Sequence, residues 1–116
     1  MRIKRIVPDI TSEQMDARRK FYTEFLGMDL AMDMGWILTF ISPDNPTAQI
    51  TLLQATSDAP PPNLSIEVED ADSVHAKAVA LGLPIVYPLT SEPWGVRRFF
   101  VADPNGQVIN VMCHLP

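Results

Sequence analysis

Two stretches decide the fold: Phe21-Tyr22-Thr23-Glu24-Phe25-Leu26-Gly27 and Ala76-Lys77-Ala78-Val79-Ala80-Leu81-Gly82. Each reads as the end of a helix, with Leu-Gly placing a glycine where a left-handed C-cap needs one. Thr11 with Gln14 has capping-box spacing for the start of the first helix. Asp70 suits the N-cap of the second, and Asp72 is favourable in its first turn. Phe21, Tyr22, Phe25 and Leu26 form one apolar stripe, and Val74, Ala78 and Leu81 another, so each helix is expected to cover one face of a sheet. His75 lies off its stripe and is expected at the surface.

Strand-like runs surround both helices. Residues 3–9 precede the first and residues 64–69 the second. Three more follow each: 28–33, 36–41 and 48–54 in the first half, and 83–87, 96–102 and 107–114 in the second. The turns between the last two strands also correspond. Pro43-Asp44-Asn45-Pro46 matches Asp103-Pro104-Asn105-Gly106, and both carry residues with preset or permissive dihedrals. The chain therefore reads as two copies of one βαβββ unit, residues 1–55 and 63–116, with a linker at 56–62. The linker ends in Pro60-Pro61-Pro62, which can continue neither a helix nor a central strand. The expected fold is α+β: one domain over residues 1–116, in which two βαβββ modules form a curved mixed sheet with an open cleft on its uncovered face.

Composition narrows the function. Of 116 residues, 47% are apolar and 20% charged, as in a globular domain. A net charge of −5 argues against a nucleic-acid partner, which needs a concentrated excess of Lys and Arg; the short run Arg18-Arg19-Lys20 reads as a solvated helix face. No apolar run approaches the length of a membrane span, so no membrane partner is expected. No apolar core follows Met1-Arg2-Ile3-Lys4-Arg5, so no signal peptide is expected. The single cysteine, Cys113, allows no intrachain disulfide, which fits a cytoplasmic location, and it reads as a buried structural thiol.

Three stretches carry a family resemblance. Phe21-Tyr22-Thr23-Glu24-Phe25-Leu26-Gly27-Met28, Val68-Glu69-Asp70 at the entry to the second helix, and Phe99-Phe100-Val101-Ala102-Asp103-Pro104-Asn105-Gly106-Gln107-Val108-Ile109-Asn110 are similar to motifs of the glyoxalase/bleomycin-resistance/dioxygenase (vicinal oxygen chelate) superfamily. The resemblance covers essentially the whole chain. It implies paired βαβββ modules, a small-molecule ligand and a homodimer. Its catalytic members hold a divalent metal on inward-facing strand positions, which fall here at Arg5, Thr51, Asn63 and Asn110. An arginine offers no lone pair, and Thr51, Asn63 and Asn110 are neutral. No metal ligand and no cofactor are therefore assigned, and a divalent metal is disfavoured.

The expected function is a metal-free protein that binds a small apolar or aromatic ligand in the cleft. The alternative is a metal-dependent lyase, isomerase or dioxygenase of the same superfamily. Candidate ligand-binding residues are Arg5, Trp36, Thr51, Asn63, Trp94, Arg98, Phe100 and Asn110, with Tyr87 as a further aromatic wall. Trp36 and Phe100 equally suit a core, whereas Trp94 between Pro93 and Gly95 suits a loop. Arg97 and Arg98 are strand neighbours, so one of them is expected to face solvent. Counting by twos along the strands puts Ser65 and Glu67 with Asn63, and Val108, Met112 and His114 with Asn110. Glu67 and His114 are the two candidate catalytic groups on that face, where with Arg5 they would support proton transfer.

Overall fold

A computed structural model describes residues 1–54 and 60–116. Of the linker read at 56–62, residues 56–59 lie outside the described residues. The chain divides into two compact units, Val7–Thr56 and Met1–Ile6 with Ser57–Pro116. The strands are β1 (Ile3–Thr11), β2 (Asp29–Asp33), β3 (Ile37–Ile41), β4 (Gln49–Leu53), β5 (Leu64–Val68), β6 (Ile85–Ser91), β7 (Val96–Ala102) and β8 (Val108–His114), and the helices are α1 (Met15–Lys20) and α2 (Ala71–Ala80). The fold is α+β.

In the Val7–Thr56 unit the strand order is β2-β3-β4-β1. β1 runs parallel to β4 with Asp9 opposite Thr51, and β2–β3 and β3–β4 are antiparallel. Strand alternation puts Leu38, Phe40 and Leu52 on one face, where they are fully buried against Ile10, Met15, Tyr22, Met28 and Ile50.

The first helix departs from expectation. Thr11 belongs to β1 and caps nothing; the helix begins after Gln14, whose N–H is taken by the Ser12 hydroxyl. After Lys20 the chain widens into a π-helical turn, Phe21–Phe25, closed by the Leu26 N–H to the Phe21 carbonyl. The wider repeat rotates successive side chains off an α-helical stripe. Tyr22 alone docks on the core, its ring 5.2 Å from that of Phe40, while Phe21, Phe25 and Leu26 are exposed.

In the other unit the order is β1-β5-β8-β7-β6, with β5 parallel to β8 and β6–β7 and β7–β8 antiparallel. Asp70 caps α2 through its carboxylate, which accepts the Asp72 and Ser73 N–H groups. Gly82 ends the helix at φ +68°, and Leu83 donates back to the Ala78 carbonyl. The core here is Val68, Ala71, Ala78, Phe99 and Val111, with Val74, Ile109 and Cys113 packed against it. Two expectations fail. Leu81 is the C-cap residue, beyond the last turn that meets the sheet, and is exposed. His75 shares a helix face with Ala71 and Ala78, so it is half-buried, edge-on to Phe99 at 5.0 Å. β6 also runs further than the expected 83–87, through irregular pairing with β7.

Candidate functional site

Alternation along β8 and β7 assigns two faces in the Met1–Ile6/Ser57–Pro116 unit. Ile109, Val111, Cys113, Phe99 and Val101 meet α2. Asn110, Met112, His114, Arg98 and Phe100 therefore lie on the opposite face, where Phe100 stands opposite Asn110 and Arg98 opposite Met112. Across β5–β8, Ser65 stands opposite Asn110 and Glu67 opposite Met112. The face read from the sequence is thus assembled in the expected register.

One cluster on this face surrounds Arg98. Its guanidinium lies 5.1 Å from the ring centres of Tyr87 and Trp94 and 4.9 Å from that of Phe100. Glu92 closes the cluster: its Oε2 accepts from Arg98 Nε at 2.9 Å and lies 2.7 Å from Nη2, and the Tyr87 hydroxyl donates to the same carboxylate. The tight turn from Glu92 to Gly95 makes this possible. The Gly95 N–H bonds to the Glu92 carbonyl, and Gly95 adopts φ +90°, a conformation that needs glycine, so Trp94 is carried over the arginine. Phe100 is buried, as a core residue would be, but on the face away from α2. Arg97, on the other face, reaches α2 and grips Asp72 with Nε and Nη2. That guanidinium, through its hydrogen bonds first, holds the Asp72 carboxyl below the usual range.

The second cluster centres on Glu67, which is buried. Arg5 Nε donates to Oε1 at 2.5 Å, His114 Nδ1 lies 2.9 Å from Oε2, and the Lys4 ammonium is 3.9 Å from Oε2. Burial alone would raise the Glu67 carboxyl, but the hydrogen bonds from His114 and Arg5, and the charges behind them, outweigh it and hold the group below its ordinary value. The structure thus brings Arg5, Glu67 and His114 together, leaving an imidazole backed by a carboxylate and largely open to solvent.

Asn110 is the third feature. It is 8% exposed, and its Nδ2 donates to the Ser65 hydroxyl at 3.0 Å. Its Oδ1 is covered and has no hydrogen-bond partner among the described residues. Asn63 does not join it. Asn63 is exposed, stands one residue before β5, and spends its side-chain carbonyl on the Val108 N–H. Trp36 and Thr51 belong to the Val7–Thr56 unit. Trp36 is half-buried just before β3, and Thr51 is buried with its hydroxyl 3.0 Å from that of Thr39.

The residues at the four positions where the resemblance would place a metal do not fit a divalent cation. Arg5 is a cation already engaged with Glu67, Asn63 is turned to the backbone of β8, and Thr51 and Asn110 bring neutral oxygens. Among the described residues, no group of three or more His, Cys, Asp or Glu side chains could hold a metal ion.

Glu92 and Lys4 were not singled out from the sequence. Glu92 left one signal: an acid just before Pro93-Trp94-Gly95, six residues from Arg98, in a segment too apolar to bury it unpaired.

The family model of the Glyoxalase/Bleomycin resistance protein/Dioxygenase superfamily matches residues 2–111, and the chain belongs to that superfamily. Solved structures share the fold. A chain described as NAD-dependent benzaldehyde dehydrogenase from Legionella pneumophila is 16% identical, with a TM-score of 0.75 over 94% of this chain and 98% of that one. A superfamily member from Vibrio splendidus 12B01 is 12% identical, with a TM-score of 0.71 over 97% and 99% of the two chains. Methylmalonyl-CoA epimerase from Mycobacterium tuberculosis is 18% identical, with a TM-score of 0.72 over 98% and 88%. No curated protein sequence matches the chain. Among the described residues, no helix is long and apolar enough to cross a membrane.

Proposed function

We propose that this superfamily member is a metal-free binding protein. Its ligand is a small apolar or aromatic molecule, held on the sheet face that carries Arg98, Phe100 and Asn110. One observation supports this most: the charged groups of that face are matched with one another. Glu92 is matched with Arg98, and Glu67 with Arg5, Lys4 and His114. Paired charges leave no concentrated negative field to hold a dication. Flat rings and a stacked guanidinium instead offer broad van der Waals contact to a planar ligand.

A second reading rests on the Glu67–His114 hydrogen bond. A carboxylate at Nδ1 orients an imidazole and supports proton transfer at its other nitrogen, so a metal-independent enzyme would place its chemistry there. Titrating a panel of aromatic compounds and small dicarbonyl compounds, followed by tryptophan emission, separates the two. Saturable quenching without turnover supports the binding protein. Consumption of a dicarbonyl that is lost in His114→Gln supports the enzyme.

A further inference from the structure

We infer that the Asn110 carboxamide is the polar anchor of the ligand site. Its Oδ1 accepts a hydrogen bond from an N–H or O–H donor on a small planar molecule. The inference rests on the binding reading above and narrows it to a ligand class.

The starting observation is an imbalance. Asn110 is 8% exposed, its Nδ2 is committed to the Ser65 hydroxyl, and its Oδ1 is covered without a partner among the described residues. A buried acceptor left unmatched keeps its desolvation cost without a compensating bond, and folded proteins rarely keep one without a use. An apolar residue of similar size would avoid that cost at this position. The Ser65 contact uses one of the two Nδ2 hydrogens, and Oδ1 is the carboxamide atom left without a partner among the described residues, so the position presents an acceptor.

The neighbours define the shape of what is accepted. By strand register Asn110 stands opposite Phe100 on one side and Ser65 on the other. Phe100 packs against Tyr87, with ring centres 4.8 Å apart, and under the Arg98 guanidinium. Oδ1 is covered, so a molecule reaches it only by displacing neighbouring side chains, and it then meets the Phe100 ring beside its donor. Arg98, over the Phe100 ring, is already matched by Glu92, and Arg5 and Lys4 are matched by Glu67, so these charges do not favour an anion over a neutral molecule. The class that fits is a neutral planar or aromatic compound carrying one hydrogen-bond donor.

The test uses phenol and anisole, which share a ring and differ in the donor. Binding to isotope-labelled protein is followed by amide shift changes in wild type, Asn110→Leu and Asn110→Asp. In wild type, phenol is expected to bind about five- to tenfold more tightly than anisole, the range one net hydrogen bond supplies. Asn110→Leu should bind the two alike and, with the unmatched acceptor gone, melt no lower than wild type without ligand. Asn110→Asp, which keeps the acceptor, should keep the preference for phenol. Equal binding of both probes by wild type, or a preference that survives in Asn110→Leu, overturns the anchor and leaves the binding reading standing. If Asn110→Leu does not fold, Asn110→Asp decides: a retained preference supports the anchor and a lost one overturns it. If wild type takes up neither probe, both the anchor and the binding reading beneath it fall.

Discussion

Arg98 Nη2 lies 2.7 Å from Glu92 Oε2, and both side chains are largely buried. Removing one partner of such a pair strands the other charge. Glu92→Gln is therefore expected to lower unfolding free energy by about 2–4 kcal/mol, read by urea denaturation. It should also release the guanidinium toward an anionic ligand. Benzoate, weak or silent on wild type, should bind Glu92→Gln measurably, and equal benzoate binding by both proteins would contradict the role given to Glu92.

Trp94 stacks on Arg98 in the site, whereas Trp36 belongs to the Val7–Thr56 unit. Ligand-dependent changes in tryptophan emission should come from Trp94. Trp94→Phe keeps a ring over the arginine and should abolish the signal while weakening binding only a few-fold, as measured by calorimetry; Trp36→Phe should leave the signal intact. The reverse pattern would move the ligand off this face.

Glu67 makes stability depend on pH. Its carboxyl is held below the ordinary value of 4.5, with burial opposing and the His114 and Arg5 hydrogen bonds prevailing. A depressed folded value means the contribution is complete above the unfolded value and disappears as pH falls through the folded one. As far as Glu67 sets them, thermal midpoints should therefore be independent of pH near neutrality, where its contribution is complete, and decline below about pH 4.5. Glu67→Gln should flatten that decline. Arg5→Met, which leaves the buried carboxylate short of a partner, should cost about 1–3 kcal/mol at pH 7. An acid limb of the same steepness in Glu67→Gln would show that another group controls it.

How much of this was legible depended on which periodicity was in force. A strand repeats every two residues, so counting from Asn110 places His114, Met112 and Val108 on one face, and counting from Asn63 places Ser65 and Glu67 on one face of the neighbouring strand. The observed Asn110–Ser65 and Glu67–His114 bonds follow from that count. The first helix departs from its expected stripe for the same kind of reason. Phe21, Tyr22, Phe25 and Leu26 make a stripe only at 3.6 residues per turn, and the π-helical turn removes that premise. Asn63 gives the right alternation for Ser65 and Glu67 but does not share their face contacts: it lies one residue before β5 and its side chain turns to the backbone of β8. Glu92 lay beyond any periodic argument, because a turn, not a strand or helix, brings it to Arg98. Where an arginine is surrounded by aromatic residues in sequence, looking for its acid within one hairpin would have found it.

The claim that most depends on this chemistry is that the face of Asn110, Arg98 and Glu67 works without a metal. Protein purified without chelator should be assayed for bound transition metals and magnesium, then melted with EDTA and with each of Mn(II), Zn(II), Ni(II) and Mg(II). The account predicts well below about one ion per chain and a midpoint that neither chelation nor metal addition moves. About one tightly held ion per chain, with a midpoint that falls on chelation and recovers when the ion is restored, would contradict it.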